Sequence, residues 1–145
     1  MTQEDKQILI KVLCAGLPYE EKVEVCIKDK DIKSIDCVKY NTVSTYIGLL
    51  NEEKFSVKPY LRPMSSMTEK EFYELCELGV SLPPFKDYYG QMQYYGSGGE
   101  WSVVDVEIED IIKYVNYLNA HHFDYNGLIE KGLALEAPEG MYNGF

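Results

Sequence analysis

From Lys22 onward the hydrophobic period is two, and it is interrupted so often that only one kind of sheet fits. Val23, Val25 and Ile27 alternate with Glu24, Cys26 and Lys28, the pattern of a half-buried strand. Asp29-Lys30-Asp31 breaks it as a turn. Further β-prone runs follow at 32–39, 42–50 and 54–61, separated by Tyr40-Asn41 and by Asn51-Glu52-Glu53. Four short strands within about forty residues are too closely spaced for parallel pairing, which needs crossovers of a dozen residues or more. The spacing predicts an antiparallel meander over about residues 20–62, ended by Pro59 and Pro63, which cannot donate to a ladder.

The flanks read as helices, so the expected fold class is α+β: an N-terminal helix, a small SH3-like antiparallel β-barrel, then C-terminal helices. Thr2 is the N-cap of the first helix, and Ile8, Leu9, Val12 and Leu13 recur at helical spacing as far as Ala15. Gly16 at C′ and Pro18 beyond it stop this helix, which is placed to plug one end of the barrel. A second helix, about 69–78, opens on a Thr68/Glu71 capping box, with Met67 and Phe72 as a hydrophobic staple. Gly79 closes it. Ile108, Ile111, Ile112, Val115 and Leu118 mark a third helix to about Ala120, preceded by a short strand over 102–107. A short fourth helix is expected from Asp124 or Asn126 to Gly132, and the tail 137–145 reads as loose. The 145 residues make one domain, about 1–66 for helix and barrel and about 67–145 for the helical part.

Charge narrows the partners. Lys and Arg number 14 against 24 Asp and Glu, a net charge of −10, and Arg62 is the sole arginine. Binding along a nucleic-acid phosphate backbone draws its affinity from Lys and Arg displacing counterions, so that class is disfavoured. With 46% hydrophobic residues the chain is no disordered tail, yet its longest apolar runs fall far short of a membrane span. The N-terminus is acidic where a secretory leader would be basic and then apolar, which predicts a cytoplasmic protein.

No reaction is legible. Cys14, Cys26, Cys37 and Cys76 form no C-x-x-C pair and lie at no zinc spacing from a histidine, so they read as reduced thiols, Cys76 on an apolar helix face. His121-His122-Phe123-Asp124 is the one histidine cluster, and it offers two readings. His122 and Asp124 share a proton or a metal in a small hydrolase site, or the histidines satisfy carbonyls at a helix C-terminus. Adjacent histidines diverge by ~100° on a helix, which favours the structural role. No G-x-S-x-G or phosphate-cradling Gly-rich loop with its lysine is present, and Gly96-Ser97-Gly98-Gly99 reads as a turn. No catalytic residue, cofactor or metal is therefore expected.

The segment 80–101 differs in kind: Pro83-Pro84-Phe85, Tyr88-Tyr89-Gly90 and Tyr94-Tyr95-Gly96 have no sustained period and read as a long loop or short hairpin. Tyr88, Tyr89, Tyr94, Tyr95 and Trp101 offer stiff amphipathic surface of the kind that anchors protein interfaces. They are the leading candidates for partner binding; His121, His122, Asp124 and Arg62 come second. The same rings stack on bases, so the alternative partner is a nucleotide-like signalling ligand paired with Lys86, Lys113 or Arg62. Closure over the barrel or a homodimer interface is the structural reading of these rings. The acids Glu100, Asp105, Glu107, Glu109 and Asp110 form a solvated rim and helix start.

The stretches Lys58-Pro59-Tyr60-Leu61-Arg62-Pro63-Met64-Ser65-Ser66-Met67-Thr68 and Leu118-Asn119-Ala120-His121-His122-Phe123-Asp124-Tyr125, with Gly127 through Ala134, resemble those of a family of short uncharacterised proteins. Such proteins occur in gut Bacteroidales genomes and their phages or prophages. Leu13-Cys14-Ala15-Gly16-Leu17-Pro18-Tyr19 is similar to theirs as well, while Asn126 stands where a basic residue is expected. The resemblance implies no activity. It implies a phage or mobile-element accessory protein that meets a host or defence protein.

Overall fold

The computed structural model describes residues 1–77, 85–86, 92–95, 101–102 and 108–142. In chain order the elements are α1 (Gln3–Ala15), β1 (Lys22–Ile27), β2 (Ile32–Cys37), α2 (Val43–Leu49), β3 (Phe55–Leu61), α3 (Glu69–Glu77), β4 (Phe85–Lys86), β5 (Met92–Tyr95), β6 (Trp101–Ser102), α4 (Ile108–Ala120) and β7 (Leu135–Glu136). The fold is mixed α+β. By its packing the chain divides into two units, Met1–Ser66 with Leu118–Phe145, and Met67–Tyr117.

In the first unit, Thr2 and Asp5 cap α1 reciprocally. The Asp5 N–H donates to Thr2 Oγ1 and the Thr2 N–H to Asp5 Oδ2, both at 3.0 Å. Gly16 ends the helix with an ordinary φ of −80°, so its small size answers a different need. A Cβ there would sit 2.6 Å from the Cβ, Cδ and Oε2 of Glu21. A 3-10 turn at Leu17–Tyr19 follows, and Glu20 at φ 57° turns the chain into β1.

β1 and β2 pair as an antiparallel hairpin from Lys22↔Cys37 to Ile27↔Ile32, as the period-two pattern predicts. β3 lies antiparallel on the other side of β1, with Val23 opposite Pro59. Pro59 is thus inside the strand and does not end it. It comes one residue before β7 pairs, at a point where β1 is the described neighbour of β3 and edge-like freedom tolerates a missing N–H. β7 pairs parallel to β3 through Tyr60↔Leu135 and Leu61↔Glu136, giving the order β2-β1-β3-β7.

That order is an open sheet, and it corrects the expected SH3-like barrel. The cause is the run 42–50, which forms helix α2 where a strand is predicted. Val43, Thr45 and Ile47 raise its β-propensity, but Tyr46 and Leu50 are buried, with Val43 packed against the same core. These three positions share a helical face, and burial outweighs a preference of at most about 1 kcal/mol. Only three strands then remain between 20 and 62, too few to close, and α1 packs in the core and plugs no barrel. Leu9, Val12 and Leu13 of α1 join Val23, Val57 and Leu61 of the sheet with Val38, Tyr46, Leu50, Leu128 and Ala134.

Residues 118–142 complete this unit. Arg62 forms an isolated parallel bridge with Phe123: its N–H donates to the His122 carbonyl at 2.7 Å and its carbonyl accepts from Asp124 N–H at 2.8 Å. The expected fourth helix is instead a succession of tight turns. Asp124 does cap it, its two carboxylate oxygens accepting from Leu128 N–H at 2.8 Å and Ile129 N–H at 2.9 Å. Gly132, at φ 75°, does close it, because Leu133 N–H reaches back to the Leu128 carbonyl before a full helical ladder can build. Nor is the tail loose through Tyr142. Ala137 N–H donates to the Leu61 carbonyl at 2.8 Å, and Ala137 and Tyr142 are buried with Tyr60.

In the second unit α3 opens on the capping box expected from its sequence. Glu71 N–H donates to Thr68 Oγ1 at 3.2 Å and Thr68 N–H to Glu71 Oε1 at 3.0 Å. Tyr117 of α4 donates its hydroxyl to Glu74 Oε2 of α3 at 2.7 Å. β4, β5 and β6 form a three-stranded antiparallel sheet in that order. Gly79, most of the expected strand over 102–107 and the side chain of Cys76 lie outside the described residues. Among the described residues no helix is long and apolar enough to cross a membrane.

Candidate functional site

Two places collect the residues that chemistry would use, one in each unit. The first is the small sheet of the second unit. Its backbone register sets Tyr95 opposite Trp101 and Tyr94 opposite Ser102, with Phe85 opposite Gln93 and Lys86 opposite Met92. Strand alternation then assigns positions 85, 93, 95 and 101 to one face and 86, 92, 94 and 102 to the other. Phe85, Tyr95 and Trp101 thus occupy one face, and Tyr94 shares the opposite one with Lys86. Tyr88 and Tyr89 lie outside the described residues. Phe85, read from the sequence as part of the Pro83-Pro84-Phe85 run, is not among the partner-binding candidates expected there.

The second place is a cleft of about 330 Å³ in the first unit, whose walls include Glu20, Lys22, Arg62, His121, His122 and Tyr142. It is built where α4 ends. His122 N–H donates to the Asn119 carbonyl at 3.1 Å and Phe123 N–H to the Leu118 carbonyl at 2.9 Å, the two bonds of a Schellman closure with His122 at C′. That position requires left-handed backbone, and His122 has φ 62°. Glycine takes such a conformation without steric cost, whereas a side chain costs about 1–2 kcal/mol.

The imidazole of His122 stacks on Tyr142, with centroids 3.6 Å apart and planes inclined by 11°. It is 5% exposed, and its buried Nδ1 makes no hydrogen bond. Burial, reinforced by the positive charges of His121 and Arg62, lowers its pKa to about 4, so the ring is neutral near pH 7. Tyr142 is held in turn through its hydroxyl, which accepts from Lys22 N–H at 3.0 Å and donates to the Tyr60 carbonyl at 2.8 Å. Its burial raises the phenol pKa.

Arg62 is 1% exposed. Its guanidinium carbon lies 4.3 Å from the centroid of the Phe123 ring, and Nη2 donates to the Ser66 carbonyl at 3.1 Å. Lys22 Nζ donates to the Met141 carbonyl at 3.2 Å. Directly between two cleft residues in sequence, Glu21 turns inward. It is 3% exposed, its Oε2 has no hydrogen-bond partner, and burial holds its carboxyl well above the usual range.

Of the secondary candidates, the structure gathers Arg62, His121 and His122 on one cleft and places Asp124 elsewhere, both of its oxygens engaged by the following turn. The pairing of His122 with Asp124 that a hydrolase or metal site was expected to use is not formed. Among the described residues no three His, Cys, Asp or Glu are grouped to hold a metal. Lys113 is exposed on α4, and Cys14 is exposed while Cys26 and Cys37 are half-buried. Sequence reasoning missed Glu20, Lys22 and Tyr142. The Met141-Tyr142 pair, apolar in a tail of Pro, Glu, Gly and Asn, is the signal that would have found the last. No protein-family model, curated protein or solved structure matches the chain.

Proposed function

We propose that this protein is a non-enzymatic binding module that contacts a protein partner through the aromatic face of its small sheet. The observation that carries the reading is the register, which sets Tyr95 directly opposite Trp101 with Phe85 on the same face. Cross-strand aromatic pairs make a stiff platform, and such residues dominate the energetics of protein interfaces. The net charge of −10 complements a partner whose contact surface is basic. The sequence resemblance supports a setting in a phage or mobile element, with a host or defence protein as the partner.

Affinity capture with the full chain, compared with the Tyr94→Ala/Tyr95→Ala/Trp101→Ala variant, tests this. Proteins retained by the wild type are expected to disappear from the triple variant while its circular dichroism is unchanged. Undiminished retention by the folded variant would falsify the reading.

A further inference from the structure

We infer that this chain forms a symmetric dimer by antiparallel pairing of β2 with β2 of a second copy, centred on Ile35, which joins two open sheets into one. The strand belongs to the unit Met1–Ser66 with Leu118–Phe145, and the inference does not rest on the aromatic sheet.

β2 is an edge of the order β2-β1-β3-β7, and it lacks the devices that usually blunt an edge. Its ladder with β1 runs unbroken from Lys22↔Cys37 to Ile27↔Ile32, with neither bulge nor proline. The opposite edge, β7, is only two residues long. Residues 32–35 are exposed, and Ile35 keeps 58% of its surface in solvent. Strand alternation fixes which backbone groups are unused. Val38 N–H donates to the Glu21 carbonyl at 2.8 Å, so positions 38, 36, 34 and 32 bond across to β1, and the N–H and C=O of Lys33, Ile35 and Cys37 point to the open side. No turn or loop backbone group among the described residues bonds to them.

Self-complementarity selects a second copy as the occupant. A two-fold axis between antiparallel strands sets one residue opposite its own counterpart, and Ile35 is the middle of the outward-bonding residues. Ile35 then faces Ile35 of the second copy and Lys33 faces Cys37 of the second copy, so every outward N–H and C=O of the strand finds a partner. Charge picks the same register. Centring on Lys33 or on Asp36 would set like charges face to face, whereas centring on Ile35 brings Asp31 toward Lys39 of the second copy at both ends. The segment 29–39 sets Asp29, Asp31 and Asp36 against Lys30, Lys33 and Lys39, so it is neutral in a chain of net charge −10. An edge carrying the chain's general excess of acid would repel its own copy, and this one does not.

One short strand pair buries less than a standard interface, so the dimer is expected to be weak, with Kd on the order of 100 μM. Sedimentation equilibrium of the full chain under reducing conditions, from about 5 μM to about 1 mM, reads it directly. Amide exchange at Lys33, Ile35 and Cys37 should slow over the same range, because those N–H groups become bonded only in the dimer. Ile35→Lys sets two ammonium groups face to face on the axis and is expected to weaken dimerisation about tenfold or more. Ile35 is exposed, so this variant keeps its fold. Tyr95→Ala with Trp101→Ala should dimerise like the wild type, which separates this edge from the aromatic sheet. A wild type that stays monomeric at about 1 mM, or a dimer undiminished in Ile35→Lys, would overturn the inference.

Discussion

The aromatic sheet and the charged cleft are assembled in opposite ways. The sheet draws its positions from one stretch of chain, 85–102, through short antiparallel pairings. The cleft draws on residues 19, 20, 22, 62, 120–122 and 141–142, brought together by the bridge of Arg62 to Phe123 and by Tyr142 reaching Lys22. A contiguous surface can be altered without touching the core, whereas a cleft made of long-range contacts is part of what holds its unit together. Substitutions on the sheet should therefore change binding at constant stability, and those in the cleft should change stability first.

The largest expected effect is on the sheet. Tyr95→Ala with Trp101→Ala should weaken partner retention by about 100-fold, roughly 3 kcal/mol, with the urea midpoint unmoved; a large drop in that midpoint would erase the contrast. In the cleft, Arg62→Ala removes a buried guanidinium from Phe123 and Ser66 and is expected to cost about 3 kcal/mol in urea unfolding.

His122 makes an expected effect of similar size appear only in acid. Its folded pKa of about 4 lies below the ordinary 6.5, so its contribution is present above pH 6.5 and is lost as pH falls through 4. The wild type should lose up to about 3 kcal/mol across that window from this group, and His122→Asn, which tolerates positive φ and does not titrate, should not. Tyr142→Phe, which strips the hydroxyl from Lys22 N–H and the Tyr60 carbonyl, should cost about 1–2 kcal/mol at any pH.

Glu21 runs with the opposite sign. Its folded pKa is raised above 4.5, so the folded state holds the proton more tightly, and the stability this gives is lost as pH climbs through the raised value. Glu21→Gln should melt higher than the wild type at pH 8 and lose that advantage toward pH 4.

The same contrast explains what the sequence could reveal. Local signals were legible: the Thr68/Glu71 box, the Asp29-Lys30-Asp31 turn and the alternation from Val23 to Ile27 depend on residues a few positions apart. Thr2 was legible as a cap for the same reason. The α2 segment was not, because its β-branched residues and its buried Tyr46 and Leu50 give opposing signals that only packing resolves. Barrel closure inherited that error. The aromatic positions could be named from composition, though their division between two faces needed the register. The cleft was half legible, since His121, His122 and Arg62 stand out by type while Lys22 and Tyr142 acquire meaning from a contact spanning 120 residues.

The most direct test of the binding account is site-specific photo-crosslinking with a benzophenone amino acid placed at Tyr95, and separately at Tyr40, a tyrosine that is 74% exposed in the first unit. The account expects a discrete adduct with a partner protein from position 95 and none from position 40. Adducts from position 40 with none from position 95 would contradict it.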